Sequence, residues 1–343
     1  MPENLMYGAL FLIIISVLVL PFISKKVEQN LEAFLFIMGL LAVLISKGLN
    51  TELVLKALEE PFMISAAVLI AGILFQRFRE KINRAISSIQ QRISTRLLLF
   101  LIVTVLGLVS SLITAIIAAL ILVEVVTVLK LDRKSEVAIV IITCFAIGLG
   151  AALTPVGEPL ATIVISKLEV DFWYLARTLG AFILPAILGL GFFAAFFIRP
   201  NPSESGLSES ERGERFKEVV IRALKVYLFV MALVFLGTGL KPLIDRFVLG
   251  LPSQILYWLN MISAILDNAT LAAAEISDKM TKQQIIAIMM GLLISGGMLI
   301  PGNIPNIISA SKLNIQSKEW ARLGFPLGLV IMLLFYVIIF YMI

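Results

Sequence analysis

Apolar residues run along this chain in blocks of roughly 15–25, the length that crosses a ~30 Å hydrocarbon core as a helix. Blocks at 5–24, 31–47, 62–76, 173–198, 217–240 and 320–343 read as spanning helices. From 77 to 96 the pattern changes. Arg77, Arg79, Lys81, Arg84, Arg92 and Arg96 alternate with Phe78, Ile82, Ile86, Ile89 and Ile93 at three- and four-residue intervals. That spacing predicts an amphipathic helix lying along the membrane surface.

Two blocks are interrupted by polar residues. Residues 97–129 carry Ser110, Ser111 and Thr114; residues 252–276 carry Ser263 and then Asp267-Asn268-Ala269-Thr270. Each is either one long helix with a polar packed face, or a re-entrant hairpin whose tip sits at mid-membrane against protein or water. After each comes a helix broken by proline: 136–168 at TPVGEP and 283–313 at IPGNIP. Hairpins that return to their side of entry, with broken helices that cross, put both termini outside. They also put 20 of the 28 Lys and Arg residues inside, as the positive-inside rule requires.

This topology contains a repeat. Ser110 aligns with Ser263 at an offset of 153, which sets Thr114 opposite Asp267. Pro155 and Pro159 align with Pro301 and Pro305 at an offset of 146. The predicted fold is an all-α polytopic membrane protein: an inverted-topology repeat with two re-entrant hairpins and two broken helices, the pattern of alternating-access transporters. Residues 1–60 form N-terminal spans, 61–198 the first repeat, 199–216 a Ser/Glu/Pro-rich cytoplasmic linker and 217–343 the second repeat.

Composition agrees. Of 343 residues 60% are apolar and 15% charged, with mean hydropathy +1.03, too little polar surface for a water-soluble particle. The net charge of +5 is spread between apolar blocks, which reads as membrane orientation and not as a nucleic-acid face. One cysteine, Cys144, excludes an internal disulfide framework. With no histidine, proton chemistry falls to carboxylates, lysines or water. Neither a Ser–Lys arrangement nor paired intramembrane aspartates supports an intramembrane protease, so the chain reads as a carrier rather than an enzyme; two inverted halves argue against a passive pore. GLGA at 148–151 lacks the strand and lysine of a nucleotide loop. The first block reads as a retained span, since Glu3 precedes it in place of basic residues.

A helix broken in lipid frees backbone groups that need partners. Unwound carbonyls with Ser, Thr, Asn and acidic side chains suit a hard cation such as Na⁺, whereas half-helix N-termini suit an anion. Candidate ligands in the first half are Ser110, Ser111, Thr114, Thr154, Gly157 and Glu158. In the second they are Asp267, Asn268, Thr270, Gly302, Asn303 and Asn306. Four acids lie in apolar surroundings: Glu124, Glu158, Asp267 and Glu275. Asp267 and Glu158, at a hairpin tip and a helix break, are the candidates for alternating between Na⁺ and a proton. Glu124 either couples protons, snorkels or pairs with a base such as Lys130. Glu275, three residues before Asp278, is placed near the outer interface. Trp173, Trp258 and Trp320 are read as boundary indoles, and the pairs Gly189/Gly191 and Gly237/Gly239 as close helix packing.

These segments resemble the ion transporter superfamily, which holds arsenite efflux pumps, NhaD-type sodium/proton antiporters and sodium-coupled dicarboxylate and citrate carriers. TPVGEPLA at 154–161 resembles its T-P-x-G-x-P-x-N segment, with Glu158 at a usually uncharged position and Ala161 in place of Asn. PGNIPN at 301–306 is similar to the second copy, and LDNAT at 266–270 to the Asp-Asn hairpin tip of NhaD-type antiporters. The first hairpin, SSLIT, lacks the usual Asn. The resemblance extends over about 60–343, to a branch of small cation transporters in archaeal and bacterial cell membranes, and implies a homodimer joined through the early spans. The expectation is Na⁺ (or Li⁺)/H⁺ exchange with Asp267 and Glu158 binding both ions, no cofactor, and the bilayer as partner. The alternative is Na⁺-coupled uptake of a small anion, a dicarboxylate or inorganic oxyanion.

Overall fold

The computed structural model describes residues 3–129, 131–199, 216–247, 251–266, 268–276 and 280–342; within these, some side chains, among them Thr270 and most of 71–91, are outside the described set. Asp267, Lys130 and the linker 200–215 lie outside the described residues.

Fifteen α-helices follow in order: α1 (Glu3–Ile23), α2 (Lys25–Gln29), α3 (Leu31–Ser46), α4 (Thr51–Arg92), α5 (Thr95–Ile113), α6 (Ala115–Leu129), α7 (Arg133–Ala151), α8 (Pro159–Leu168), α9 (Tyr174–Phe197), α10 (Phe216–Phe247), α11 (Ser253–Leu259), α12 (Asn268–Glu275), α13 (Lys282–Gly296), α14 (Ile304–Leu313) and α15 (Ser317–Val337). Short 3₁₀ turns occupy Asn260–Ala264 and Ile300–Gly302, and no strand occurs among the described residues. Six helical stretches are long and apolar enough to cross a membrane, which makes this a multi-pass membrane protein.

The spans expected at 5–24, 31–47 and 173–198 appear as α1, α3 and α9. The span at 62–76 and the basic arm at 77–96 are not separate: both lie within the 42 residues of α4, about 63 Å at 1.5 Å per residue. Nothing between 73 and 92 is Gly or Pro, so the change of hydrophobic pattern alters the helix's surroundings without ending it.

Side-chain caps fix several helix starts. Asp132 accepts from the Ser135 amide at the head of α7, and Thr281 with Gln284 closes a reciprocal capping box on α13. Arg133 then ties α7 to the α14–α15 corner, donating to both Glu319 carboxylate oxygens (3.1 and 2.8 Å) and to the Leu313 and Asn314 carbonyls. Such forked pairing fixes orientation as well as adding energy.

Burial ranks the helices. In α7, 89% of the spanning window is buried, against 22% in α1 and 28% in α15, so α7 forms the centre and α1 and α15 the periphery. Close contacts between helices rest on small residues, since lipid supplies no hydrophobic drive for helices to associate. Gly39 of α3 lies against the Ala232 carbonyl of α10, and Gly239 of α10 against Ala42. Gly150 of α7 meets Gly107 of α5 so closely that an added Cβ would stand 1.7 Å from the Gly107 oxygen. Gly191 packs on Thr104 and Phe100, whereas Gly189 has nothing within 4 Å of where a Cβ would stand. Gly189 is therefore no packing residue, contrary to the sequence expectation.

A Cβ on Gly157 would stand 2.0 Å from the Ala151 oxygen, and one on Gly302 2.5 Å from the Gly296 oxygen. Both clashes are with backbone. Gly157→Ala and Gly302→Ala should each cost about 3 kcal/mol or more and lower the thermal unfolding temperature in detergent. Gly189→Ala should leave it unchanged or raise it slightly.

Candidate functional site

Each of the two interrupted helices stops, unwinds for seven residues and restarts. The first break runs from Ala152 to Glu158 between α7 and α8, the second from Gly297 to Asn303 between α13 and α14. Glu158 (φ −157°, ψ 158°) and Asn303 (φ −153°, ψ 147°) are the N-caps, both extended and neither capping with its side chain. The helices that follow are each ten residues long. They end on left-handed caps, Glu169 (φ 51°, ψ 42°) and Asn314 (φ 50°, ψ 43°).

All these landmarks are 145 residues apart (303 − 158; 314 − 169), one fewer than the proline alignment. Pro159 is the first residue of α8 but Pro305 the second of α14, because proline is tolerated at either position of a first turn. The geometry therefore matches Gly157 with Gly302 and Glu158 with Asn303.

The hairpin serines obey the same register. Ser110 Oγ donates to the Ile147 carbonyl of α7 at 3.0 Å, and Ser263 Oγ to the Leu292 carbonyl of α13 at 3.0 Å. Those carbonyls are again 145 residues apart, while the serines keep their offset of 153. Ser110 also donates to Gly107 O, Ser111 to Leu108 O, and Thr154 Oγ1 to Ser111 O at 2.5 Å. These three hydroxyls, proposed as ligands, bind backbone behind the site and do not line its cavity.

The first tip is the single residue Thr114 between α5 and α6, with φ 76° and ψ 148°. That region is nearly exclusive to glycine and costs of the order of 1–3 kcal/mol. Thr114 Oγ1 accepts from the Ile117 amide (3.3 Å), and the Ala115 amide donates to Gly157 O (2.9 Å). The tip and the first break are thus bonded together. In the second half, Asn306 Nδ2 donates to the freed carbonyls of Gly296 (2.8 Å) and Leu299 (2.9 Å). Trp320 Nε1 donates to Gly297 O at 3.1 Å. Trp320 is 0% exposed. It is a core residue sealing the second break, not the boundary indole its place near a span end implied.

Both breaks and both tips converge on one cavity of about 600 Å³. Thr114, Ala115 and Ile116 line it from the first tip, and Pro155 to Leu160 from the first break. Asn268 and Ala269 contribute from the start of α12, and Pro301 to Ile304 from the second break. Of the sequence candidates, Thr114, Gly157, Glu158, Asn268, Gly302 and Asn303 meet here; Ser110, Ser111, Thr154 and Asn306 support them from behind. Asp267 lies outside the described residues, next in sequence to Asn268. Thr270 is within α12, its side chain outside the described set.

Asn268 is 5% exposed, and neither its Oδ1 nor its Nδ2 has a hydrogen-bond partner. Leaving a whole carboxamide unsatisfied costs about 1–3 kcal/mol per group, so its place in a cavity wall marks it as a ligand. Asn268 Nδ2 lies beside Gly296, and Asn303 Nδ2 beside Gly148 of α7, where any Cβ would stand within 2.6 Å. The glycines make room for the two amides. Lys56 and Glu60, an i,i+4 pair 3.5 Å apart on α4, and Leu233 of α10 complete the wall. The sequence reading missed these three; they belong to helices with no motif to mark them.

The remaining acids lie elsewhere. Glu124 of α6 is ion-paired with Lys312 of α14, both nearly buried, not with Lys130 as the shorter spacing suggested. Glu275 is 3% exposed and accepts from Asn260 Nδ2 at 3.0 Å, so it is an interior group rather than an interfacial one. Cys144 is buried, its thiol 3.5 Å from Ser309 Oγ, as a small core residue should be. No cluster of three metal-ligating His, Cys, Asp or Glu side chains occurs among the described residues.

A second cavity of about 680 Å³ lies between α2, α3, α10 and α14, lined by Lys25, Glu28, Ile300 and Ile307 and by the Glu32–Lys225 ion pair (2.8 Å). Ile300 faces this cavity and Pro301 the first one, so the wall between them is the second break itself.

The family profile described as "Protein of unknown function (DUF1646)" matches residues 7–342. The chain belongs to the DUF1646 family. Both breaks, both tips and the peripheral helix α15 lie within the match, so the whole site belongs to the part the family shares. No curated protein matches the sequence.

If Asn268 is held unsatisfied for a ligand, Asn268→Leu should raise the thermal stability of the ion-free protein by about 1–3 kcal/mol. The same change should abolish any stabilisation by NaCl or LiCl over choline chloride. Thermal melts in the three salts check both effects.

Proposed function

We propose that this protein is a secondary active transporter that exchanges Na⁺ or Li⁺ for H⁺ by alternating access across a prokaryotic cell membrane. The observation that carries the proposal is the single cavity shared by two tips and two breaks. In this reading α4–α9 and α10–α15 are inverted repeats. The segments α5–α6 and α11–α12 are their re-entrant hairpins, both termini are outside, and two copies pair through the early helices. The matched caps and the 145-residue register support the repeat. The proposal also rests on the resemblance to the ion transporter superfamily, in which hairpin tips and helix breaks hold the transported ions.

Cation binding follows from the donor set. Glu158 supplies a carboxylate, Asn268 and Asn303 supply carboxamide oxygens and Thr114 a hydroxyl: hard oxygen ligands of the kind Na⁺ takes. Asp267, beside Asn268 in sequence, is the second carboxylate. Each acid carries either the cation or a proton, since desolvation favours the neutral acid and a bound cation the ionised one.

Na⁺-coupled uptake of a small anion is the second reading, and one feature favours it. The first residues of α6, α8, α12 and α14 all line the cavity, and four helix N-termini there attract negative charge by about 0.3–1 kcal/mol each. Against this, one carboxylate 4 Å from an anion repels it by about 4 kcal/mol at an effective dielectric constant of 20. Glu158 alone offsets the four termini and Asp267 doubles the repulsion, so the balance favours a cation.

Proteoliposomes loaded acid-inside separate the readings. Adding Na⁺ or Li⁺, but not K⁺, outside should dissipate the pH gradient, and Glu158→Gln or Asp267→Asn should reduce this at least tenfold. An Asp267→Asn protein that still exchanges at the normal rate would defeat the proposal. Na⁺-dependent uptake of a dicarboxylate or oxyanion without proton exchange would establish the second reading.

A further inference from the structure

Glu275 plays no part in the cation cavity, yet it is the most fully enclosed acid of the second half. It is the last residue of α12, the helix whose first residue, Asn268, lines that cavity. Cavity and carboxyl therefore stand at opposite ends of one eight-residue helix, about 10 Å apart along its axis. The carboxyl is 3% exposed and Asn260 0%. Asn260 Nδ2 donates to Glu275 Oε2 at 3.0 Å, and Glu275 Oε1 and Asn260 Oδ1 have no hydrogen-bond partner. A neutral carboxamide is thus the carboxyl's sole hydrogen-bonding neighbour.

The charged surroundings do not repair this. From α8, Lys167 Nζ donates to the Ile276 carbonyl at 3.2 Å, one residue beyond Glu275. The 260–264 turn carries no charge, and α13 has one charged residue, Lys282, at its start, six residues before Ile288. Helix α10 is uncharged between Lys225 and Lys241. Asp278 and Lys279 lie outside the described residues. The position at the C-terminus of α12 sets the negative end of a helix dipole against a carboxylate.

Glu124 makes the contrast. Lys312 and Lys167 are 145 residues apart, each in the last turn of a post-break helix. Lys312 meets the carboxylate of Glu124, whereas Lys167 meets a backbone carbonyl next to Glu275. One acid is neutralised by an ammonium, the other is left to be neutralised by a proton.

We propose that Glu275 is a proton-binding site, neutral in this conformation and separate from the cation cavity. An ionised carboxylate so enclosed would leave one charged oxygen wholly unpartnered, and a proton removes that charge. The inference deepens the exchange reading by giving the exchanged proton a seat at the far end of α12. Movement of that helix would open Glu275 to water as it rearranges the ion ligands, and the released proton would pass to solvent.

Infrared difference spectroscopy of the purified protein in lipid tests this without requiring transport. Wild type at neutral pH should show a protonated-carboxyl band that disappears on alkalinisation and is missing from Glu275→Gln, which keeps the shape and the Asn260 bond. Asn260→Leu should shift the band. An identical band in wild type and Glu275→Gln, or none in either, overturns the proposal. Should Glu275→Gln fail to fold, Glu275→Asp must shift the band and its titration midpoint, and an unchanged spectrum in that variant overturns it equally. The companion flux assay separates the two ideas. A band lost in Glu275→Gln from a wild type that moves neither Na⁺ nor protons leaves the proton site standing and defeats the exchange reading. A band lost together with Na⁺-driven proton movement supports both.

Discussion

Backbone amides and carbonyls released inside an apolar slab have no water to turn to, so every unwound residue must find its partner within the chain. The rest of this structure answers to that constraint. The two breaks free carbonyls on α7 and α13, and the polar residues around them meet the demand. Thr154 reaches Ser111 O, Ala115 N reaches Gly157 O, and Asn306 takes both Gly296 O and Leu299 O. Trp320 comes from a peripheral helix to bond Gly297 O. What these partners leave unsatisfied is concentrated in one place, the carboxamide of Asn268 at the cavity wall. A site whose support is complete and whose face is open is what selective ion binding needs: rigid positioning by the second layer, unmet hydrogen-bonding capacity in the first.

Much of this was legible in the sequence because prolines and polar clusters in apolar blocks are costly and therefore informative. TPVGEP and IPGNIP marked both breaks, and Ser110 with Ser263 marked both hairpins at the offset their hydrogen bonds later obeyed. The division into cavity and support was not legible. Ser110, Ser111 and Thr154 have the same chemistry as Thr114 and differ only in which way a hydroxyl turns. The register slipped by one residue because proline fits either of the first two positions of a helix, whereas the clash of Gly157 and Gly302 with a backbone oxygen admits only one alignment.

Long-range pairings were beyond sequence reasoning for a different reason. Lys130 is six residues from Glu124 and Lys312 is 188, yet the packing of α6 on α14 decides the matter in favour of the distant partner. Trp320 resembled a boundary indole by its distance from a span end; its burial follows from the way α15 lies on α13, which no local pattern encodes. Asn260 was unremarked because one amide in an apolar run carries no motif, and only the fold brings it to Glu275.

The central claim is that the first hairpin tip and the start of α12, more than 150 residues apart in the chain, face one enclosed space. Cross-linking in membranes measures this directly. In a Cys144→Ser background, Thr114→Cys and Asn268→Cys introduced together should be bridged by a short bifunctional thiol reagent. The bridge should join the two halves into one band after proteolytic cleavage in the 199–216 linker, and neither single variant should give it. Two halves that separate fully after treatment, with the two cysteines labelled by impermeant reagent from opposite sides, would contradict the account.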